Sequence, residues 1–246
     1  MTSPIQKVLS TLSSHNVRSL LIGGQACIFY GGAEFSRDAD IAVLTSAENL
    51  RRLERALVEL RAESIAVPPF AVEYLLRGHA VHFRCAHPDA AGMRIDVIAV
   101  MRGVDSFDAL WDRRTTVDVA PGESYEVISL QDLVRSKKTQ RDKDWPMIRR
   151  LIEAHYVANR QRPTPAQVEF WLLESRTPAM LREVASAHTA ALKRVLPARP
   201  FLSALEAMDD AALEGALEAE EKREREADRA YWKPLREELE RLRLAR

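Results

Sequence analysis

Three aspartates carry the chemistry that this sequence could perform. Asp38 and Asp40 stand two residues apart in "SRDADIAVL", and Asp96 stands in "RIDVIAV", a stretch otherwise apolar but for Arg94. On a strand, residues i and i+2 share a face about 7 Å apart. Asp38, Asp40 and Ala42 then point one way, and Ala39, Ile41 and Val43 the other. In the second stretch Arg94, Asp96 and Ile98 share a face, with Ile95, Val97 and Ala99 opposite. Carboxylates this close repel, and each favours protonation unless a cation or hydrogen-bond donors compensate. Divalent cations resolve the conflict: two metal ions about 3.5–4 Å apart are the usual arrangement for in-line phosphoryl or nucleotidyl transfer. Two plainer readings need no ligand. Arg37 can serve as counter-ion to the first pair, and Asp96 can pair with Arg94 or across strands.

Two further features bear on phosphate chemistry. "LLIGGQA" places Gly23 and Gly24 where a strand gives way to a helix. Glycines there let the backbone approach a phosphate, and a helix N-terminus adds free N–H groups and a positive dipole. The plainer reading is a tight turn, and the pair is not the G-x-G-x-x-G dinucleotide fingerprint. Residues 131–162 hold nine Lys or Arg against four Asp or Glu, a local net of +5. Lys137, Lys138 and Arg141 lie within about one turn of an expected helix and could neutralise a triphosphate or an RNA backbone. A basic solvated helix is the plainer reading, and no aromatic ladder for stacking bases accompanies it.

A rival metal signal is "HAVHFRCAH", with His79, His82, Cys85 and His87. The types suit zinc, but on a strand His79, Cys85 and His87 spread too far along one face and His82 points away. Core or rim histidines are the preferred reading. There is no G-x-S-x-G elbow and no P-loop.

The elements that position these residues read as follows. Ser3 and Pro4 open a helix over 4–14. "VRSLLIGG" is a buried strand, "QACIFYGG" a short helix stopping at Gly31-Gly32, and "DADIAVL" a second strand. Residues 46–61 have helical spacing with Ser46 as cap. Residues 79–87 and 93–101 form a hairpin across "HPDAAG", and shorter strands follow at "TTVDVA" and "YEVISL". "SLQDLVRSKKTQR" is a helix capped by Ser129, and "DWPMIRRLIEAHYVANR" is the next. "QRPTPAQ" (161–167) is the expected domain boundary, dividing residues 1–160 from a helical region, 161–246. The fold class is α/β (α+β), a mixed sheet flanked by helices and followed by an all-helical C-terminal region. Near the end, Leu235, Leu239 and Leu242 form a narrow apolar stripe. Packing on the same chain is its preferred reading, and a second copy or a partner protein is the alternative.

Composition narrows the class. The chain has 246 residues, 46% hydrophobic, enough for a sizeable core. Its 36 basic and 36 acidic residues cancel, so overall charge favours neither nucleic acid nor a membrane. Two cysteines, Cys27 and Cys85, sit beside apolar residues and fit reduced core thiols. The N-terminus lacks the apolar core of a signal peptide, and no apolar run approaches the roughly 18 residues of a membrane span. A soluble, cytoplasmic protein is expected.

Taken in order, "LLIGGQACIFYGG", "SRDADIAV", "RIDVIAV" and "SLQDLVRSKKTQRDKDWPMIRRL" resemble the minimal nucleotidyltransferases of the DNA-polymerase-beta-like superfamily. The nearest branch is the bacterial proteins grouped with abortive-infection-type nucleotidyltransferase toxins. The resemblance covers roughly residues 15–157 and implies a set of roles. Gly23 and Gly24 contact the nucleotide phosphates. Asp38 and Asp40 hold Mg²⁺ bridging those phosphates. Asp96 completes a site for two ions and helps deprotonate the acceptor hydroxyl. Lys137, at the family's helix lysine, pairs with the triphosphate, with Arg141 nearby, and Asp144 matches the acidic member of a downstream Lys-Asp pair. The implied reaction moves an NMP from an NTP to an RNA, protein or small-molecule acceptor. Relatives often carry Arg, any residue, then Thr, where this chain has Glu34-Phe35-Ser36. Ser36 can replace the threonine hydroxyl, and Arg37 is then the cation at hand. The alternative is a protein that kept the fold for binding or regulation without catalysis.

Overall fold

The computed structural model describes residues 3–33 and 35–245. Among them seven strands form one mixed sheet: β1 (Ser19–Leu21), β2 (Asp38–Val43), β3 (Ala62–Ser64), β4 (Val81–Cys85), β5 (Arg94–Ile98), β6 (Thr115–Ala120) and β7 (Glu123–Val127). Their order is β3-β4-β5-β2-β1-β7-β6. The helices are α1 (Pro4–Ser14), α2 (Gly23–Phe29), α3 (Ala47–Glu59), α4 (Val72–Arg77), α5 (Phe107–Asp112), α6 (Leu130–Ser136), α7 (Asp144–Asn159), α8 (Pro165–Glu174), α9 (Pro178–Ala187), α10 (Thr189–Val195) and α11 (Asp210–Leu244). The mixed sheet with flanking helices, followed by helices alone, is the architecture read from the sequence.

The chain packs as two compact units, one of residues 1–29, 33–136 and 230–246, the other of 30–32 and 137–229. The expected boundary at 161–167 falls inside the second unit, where it covers the turn after α7 and the first residues of α8.

The first unit holds the sheet. Its helices start where the sequence offers caps. Ser3 and Gln6 close a reciprocal capping box on α1, and the Ser46 hydroxyl accepts from the Asn49 amide at the start of α3. Both helices bury one apolar stripe, Val8, Leu9 and Leu12 from α1 and Leu53, Ala56 and Leu57 from α3. Asn49 is buried and stitches the ends of two strands: its amide donates to the Arg18 and Leu44 carbonyls and accepts from the Arg18 N–H. β2 lies at the centre, parallel to β5 and antiparallel to β1. Its Ile41 and Val43 join Leu20, Ile95 and Val97 in a core without solvent exposure. β4 and β5 form the expected hairpin.

Three elements were not legible as elements. β3 is a polar three-residue strand, and α4 and α5 have six residues each, too short to show a period. The helix read over 129–141 ends at Ser136, which leaves Lys137 in a turn rather than on a helix. The C-terminal leucines resolve as the preferred reading had them: Leu235 is buried and lies against Gly78, while Leu239 and Leu242 are half-buried. Arg77 and His79 both pair with Glu238 in that stretch of α11.

The second unit is helical and built around Trp171, Ile148, Leu151, Leu172 and Leu181. Thr164 and Gln167 form the capping box that starts α8. Among the described residues no helix is long and apolar enough to cross a membrane.

Candidate active site

Strand register brings the three aspartates together. β2 and β5 run parallel with Asp40 opposite Asp96 and Asp38 opposite Arg94. β4 lies antiparallel on the other side of β5, with His82 opposite Asp96 and Arg84 opposite Arg94. Directly opposed residues project to the same face. One sheet face therefore carries two rows of three: Asp40, Asp96 and His82, then Asp38, Arg94 and Arg84. The residues between them, Ala39, Ile95, Val97 and Phe83, are buried on the opposite face, which fixes the register, since a one-residue slip would reverse every side chain.

The middle of this face is a tight ion cluster. Arg94 donates to both oxygens of Asp96, from Nε to Oδ1 at 2.6 Å and from Nη2 to Oδ2 at 2.9 Å. His82 Nδ1 lies 2.8 Å from Asp96 Oδ1 and 3.0 Å from Arg94 Nη2. Burial pushes the Asp96 carboxyl up, but the hydrogen bonds and charges of His82 and Arg94 outweigh it and hold it below the ordinary range. The Arg94 guanidinium is held above its ordinary value by its hydrogen bonds to Asp96, opposed by partial burial and aided by the charges of Asp96, Asp38 and Asp40. The cation that offsets the carboxylate repulsion is thus Arg94, one of the two plainer readings. Arg37, the other candidate, is exposed, its guanidinium 5.9 Å from the Phe35 ring. His82 as a partner of Asp96 was missed. Its sequence spacing shows which face it takes along β4, but only the hairpin register shows which residue it meets.

The Gly23–Gly24 turn closes onto the same face. Gly23 has φ of +63°, and a Cβ there would run into the Asp40 carboxylate. A Cβ on Gly24 would run into the Ser36 hydroxyl. The Gly24 amide donates to Asp40 Oδ2 at 3.4 Å, and Ile22 N–H donates to the Asp40 carbonyl. Ser36 is tied to this turn through its carbonyl, which accepts from Gln25 Nε2 at 3.0 Å, and its hydroxyl donates to the Asp38 carbonyl at 3.3 Å. Gly23, Gly24, Ser36, Asp38, Asp40 and Asp96 thus belong to one locale. Glu34, the departure from the family pattern, lies outside the described residues.

Lys137, Arg141 and Asp144 form a second cluster, in the other compact unit. Asp144 is 2% exposed and gathers three partners. Lys137 Nζ lies 3.5 Å from Oδ1, and Arg141 Nε and the Thr139 hydroxyl donate to Oδ2 at 2.8 and 2.5 Å. Trp145 Nε1 donates to the Thr139 carbonyl. Its ring lies beneath the Arg176 guanidinium at 4.9 Å. Lys137 departs from the expected helical position because these side chains replace the helix ladder as the partners of the turn.

Carboxylate oxygens are the donors that Mg²⁺ takes, and Asp38 and Asp40 beside the glycine turn fit such an ion. Asp96 has both oxygens engaged by Arg94. Among the described residues no group of three or more His, Cys, Asp or Glu side chains is arranged to hold a metal. The zinc alternative fares the same: Cys85 is buried, and His87 caps a short turn by accepting from the Asp89 amide.

No family model matches the chain, and no curated protein matches it. A solved structure similar to it is the solution structure of the antibiotic-resistance factor ANT(2'')-Ia, at 13% identity. The match covers 78% of this chain and 94% of that one, with a TM-score of 0.36. A likeness at that level leaves the reading of the site to the site's own geometry.

Proposed function

We propose that this protein is a Mg²⁺-dependent nucleotidyltransferase, moving an NMP from an NTP to an RNA, protein or small-molecule acceptor, in the manner of a toxin. The observation that carries the reading is the cross-strand pairing of Asp40 with Asp96, beside Asp38 and against a turn that only glycine fits. Bound Mg²⁺, two ions in the usual arrangement, would neutralise the phosphates and lower the cost of charge developing on them. Asp38 and Asp40 would hold it, and Asp96 would complete the set once free of Arg94. Asp96 takes the acceptor proton as the acceptor oxygen bonds to the α-phosphorus. The bond to the bridging oxygen breaks, and pyrophosphate leaves with its electron pair. Gly23 and Gly24 offer backbone N–H groups to the phosphates, and Ser36 and Arg37 add donors and charge. The rate gain comes from positioning and charge stabilisation.

One observation favours a second reading, a binding or regulatory protein without catalysis: Arg94 engages both oxygens of the third carboxylate. Calorimetric titration with each NTP, with and without Mg²⁺, separates the two. Micromolar binding that requires the metal and is lost in Asp40→Asn supports the transferase. Metal-independent binding, or none, favours the second reading.

A further inference from the structure

We propose that Arg94 is the resident cation of the aspartate face: it holds Asp96 in the metal-free protein and competes with a divalent ion for that carboxylate. The inference rests on the transferase reading and concerns how its metal site is armed.

Four side chains on β2 and β5 form a square, Asp38 opposite Arg94 and Asp40 opposite Asp96. Three corners are negative and one is positive, so the guanidinium stands among the three carboxylates that a divalent ion would bind. Its grip on Asp96 is the two-point fork that matches a carboxylate best. A metal approaching Asp38 and Asp40 therefore meets an Asp96 whose oxygens are engaged, and a positive charge one strand away. Both effects weaken metal binding relative to the same carboxylates without the arginine.

The pair is built to open. The Arg94 side chain is 38% exposed, so its head can leave Asp96 for water without being stranded in the core. Asp96 keeps His82 at 2.8 Å when Arg94 departs, so its carboxylate stays oriented. Arg94 is thus a positioning residue acting on Asp96. A merely structural arginine would loosen the fold when removed; a competing cation would tighten metal binding.

The test is Mn²⁺ binding to the full chain by electron paramagnetic resonance, without nucleotide, in the native protein and in Arg94→Gln, Asp40→Asn and the double variant. Removing a cation beside a carboxylate shifts its charge balance by one to three pKa units' worth, so Arg94→Gln is expected to bind Mn²⁺ about tenfold tighter or more. The gain should vanish in the double variant. Equal or weaker binding in Arg94→Gln, with native binding still lost in Asp40→Asn, overturns the inference and leaves the transferase reading standing. Absence of Mn²⁺ binding in every protein, also when ATP is added, overturns both. If Arg94→Gln fails to fold, Arg94→Lys keeps one charge and loses the fork: tighter binding than native supports the inference, and equal or weaker binding overturns it.

Discussion

Two charged clusters of this chain are built in opposite ways. On the sheet, Asp38, Asp40, Asp96 and Arg94 are placed by strand register, and the backbone ladder would hold its shape without them. Between α6 and α7 the backbone has left its helix, and Lys137, Thr139 and Arg141 hold the turn through bonds to Asp144 and Trp145 at the start of α7. The first cluster can exchange partners, because its scaffold does not depend on them. The second is its own scaffold. Charge that is free to be rearranged belongs to a site, whereas charge buried in a turn is spent on structure.

The largest expected effect breaks the second cluster. Asp144→Ala strands a Lys137 that is 9% exposed, along with a turn that has lost its central acceptor. A loss of about 3 kcal/mol is expected, read by chemical denaturation. A loss near zero would make the Asp144 cluster a surface feature and erase the contrast.

Next come the glycines. Gly23→Ala forces an L residue into positive φ and its methyl into Asp40, so about 2 kcal/mol of stability should go. Gly122→Ala has a similar φ, +78°, with open space around it, and should cost about 1 kcal/mol. Equal losses in thermal melts would mean that the Asp40 contact adds nothing at Gly23.

Smaller still is Arg94→Gln, at about 1 kcal/mol, because the partly exposed pair is compensated by water and by His82. A loss as large as that of Asp144→Ala would place both clusters in one class.

The smallest effect is in pH. The Asp96 carboxyl is held below its ordinary value of 3.8, so its pairing contributes stability above that value. The contribution fades as the pH falls below it and the folded carboxylate takes its proton. The stability gap between native protein and Asp96→Asn should therefore shrink on acidification from pH 5 to pH 3, about the range in which a carboxylate titrates. A gap that stays constant would contradict the pairing.

The same contrast explains what the sequence made legible. Period-two alternation put Asp38, Asp40 and Asp96 on the polar faces of their strands, and the structure keeps that alternation in β2 and β5. The parallel register that sets Asp40 against Asp96 is a long-range fact, fixed by core packing of Ile41 and Val97 rather than by local pattern. Caps at Ser3, Ser46 and Thr164 follow local hydrogen-bond rules, and two of them, Ser3 and Ser46, were read directly. The early end of α6 was not legible, because Lys137, Lys138 and Gln140 are all good helix formers and only tertiary partners overrule them. The pairing of His82 with Asp96 was not legible for a similar reason: it depends on a neighbouring strand.

The central claim is that the aspartate face moves a nucleotide. The direct measurement is incubation with each α-phosphate-labelled NTP, Mg²⁺ and cell lysate, followed by a search for the labelled macromolecule. The account predicts label that depends on Mg²⁺ and disappears in folded Asp38→Ala and in folded Asp96→Ala. Full labelling by both variants would contradict it.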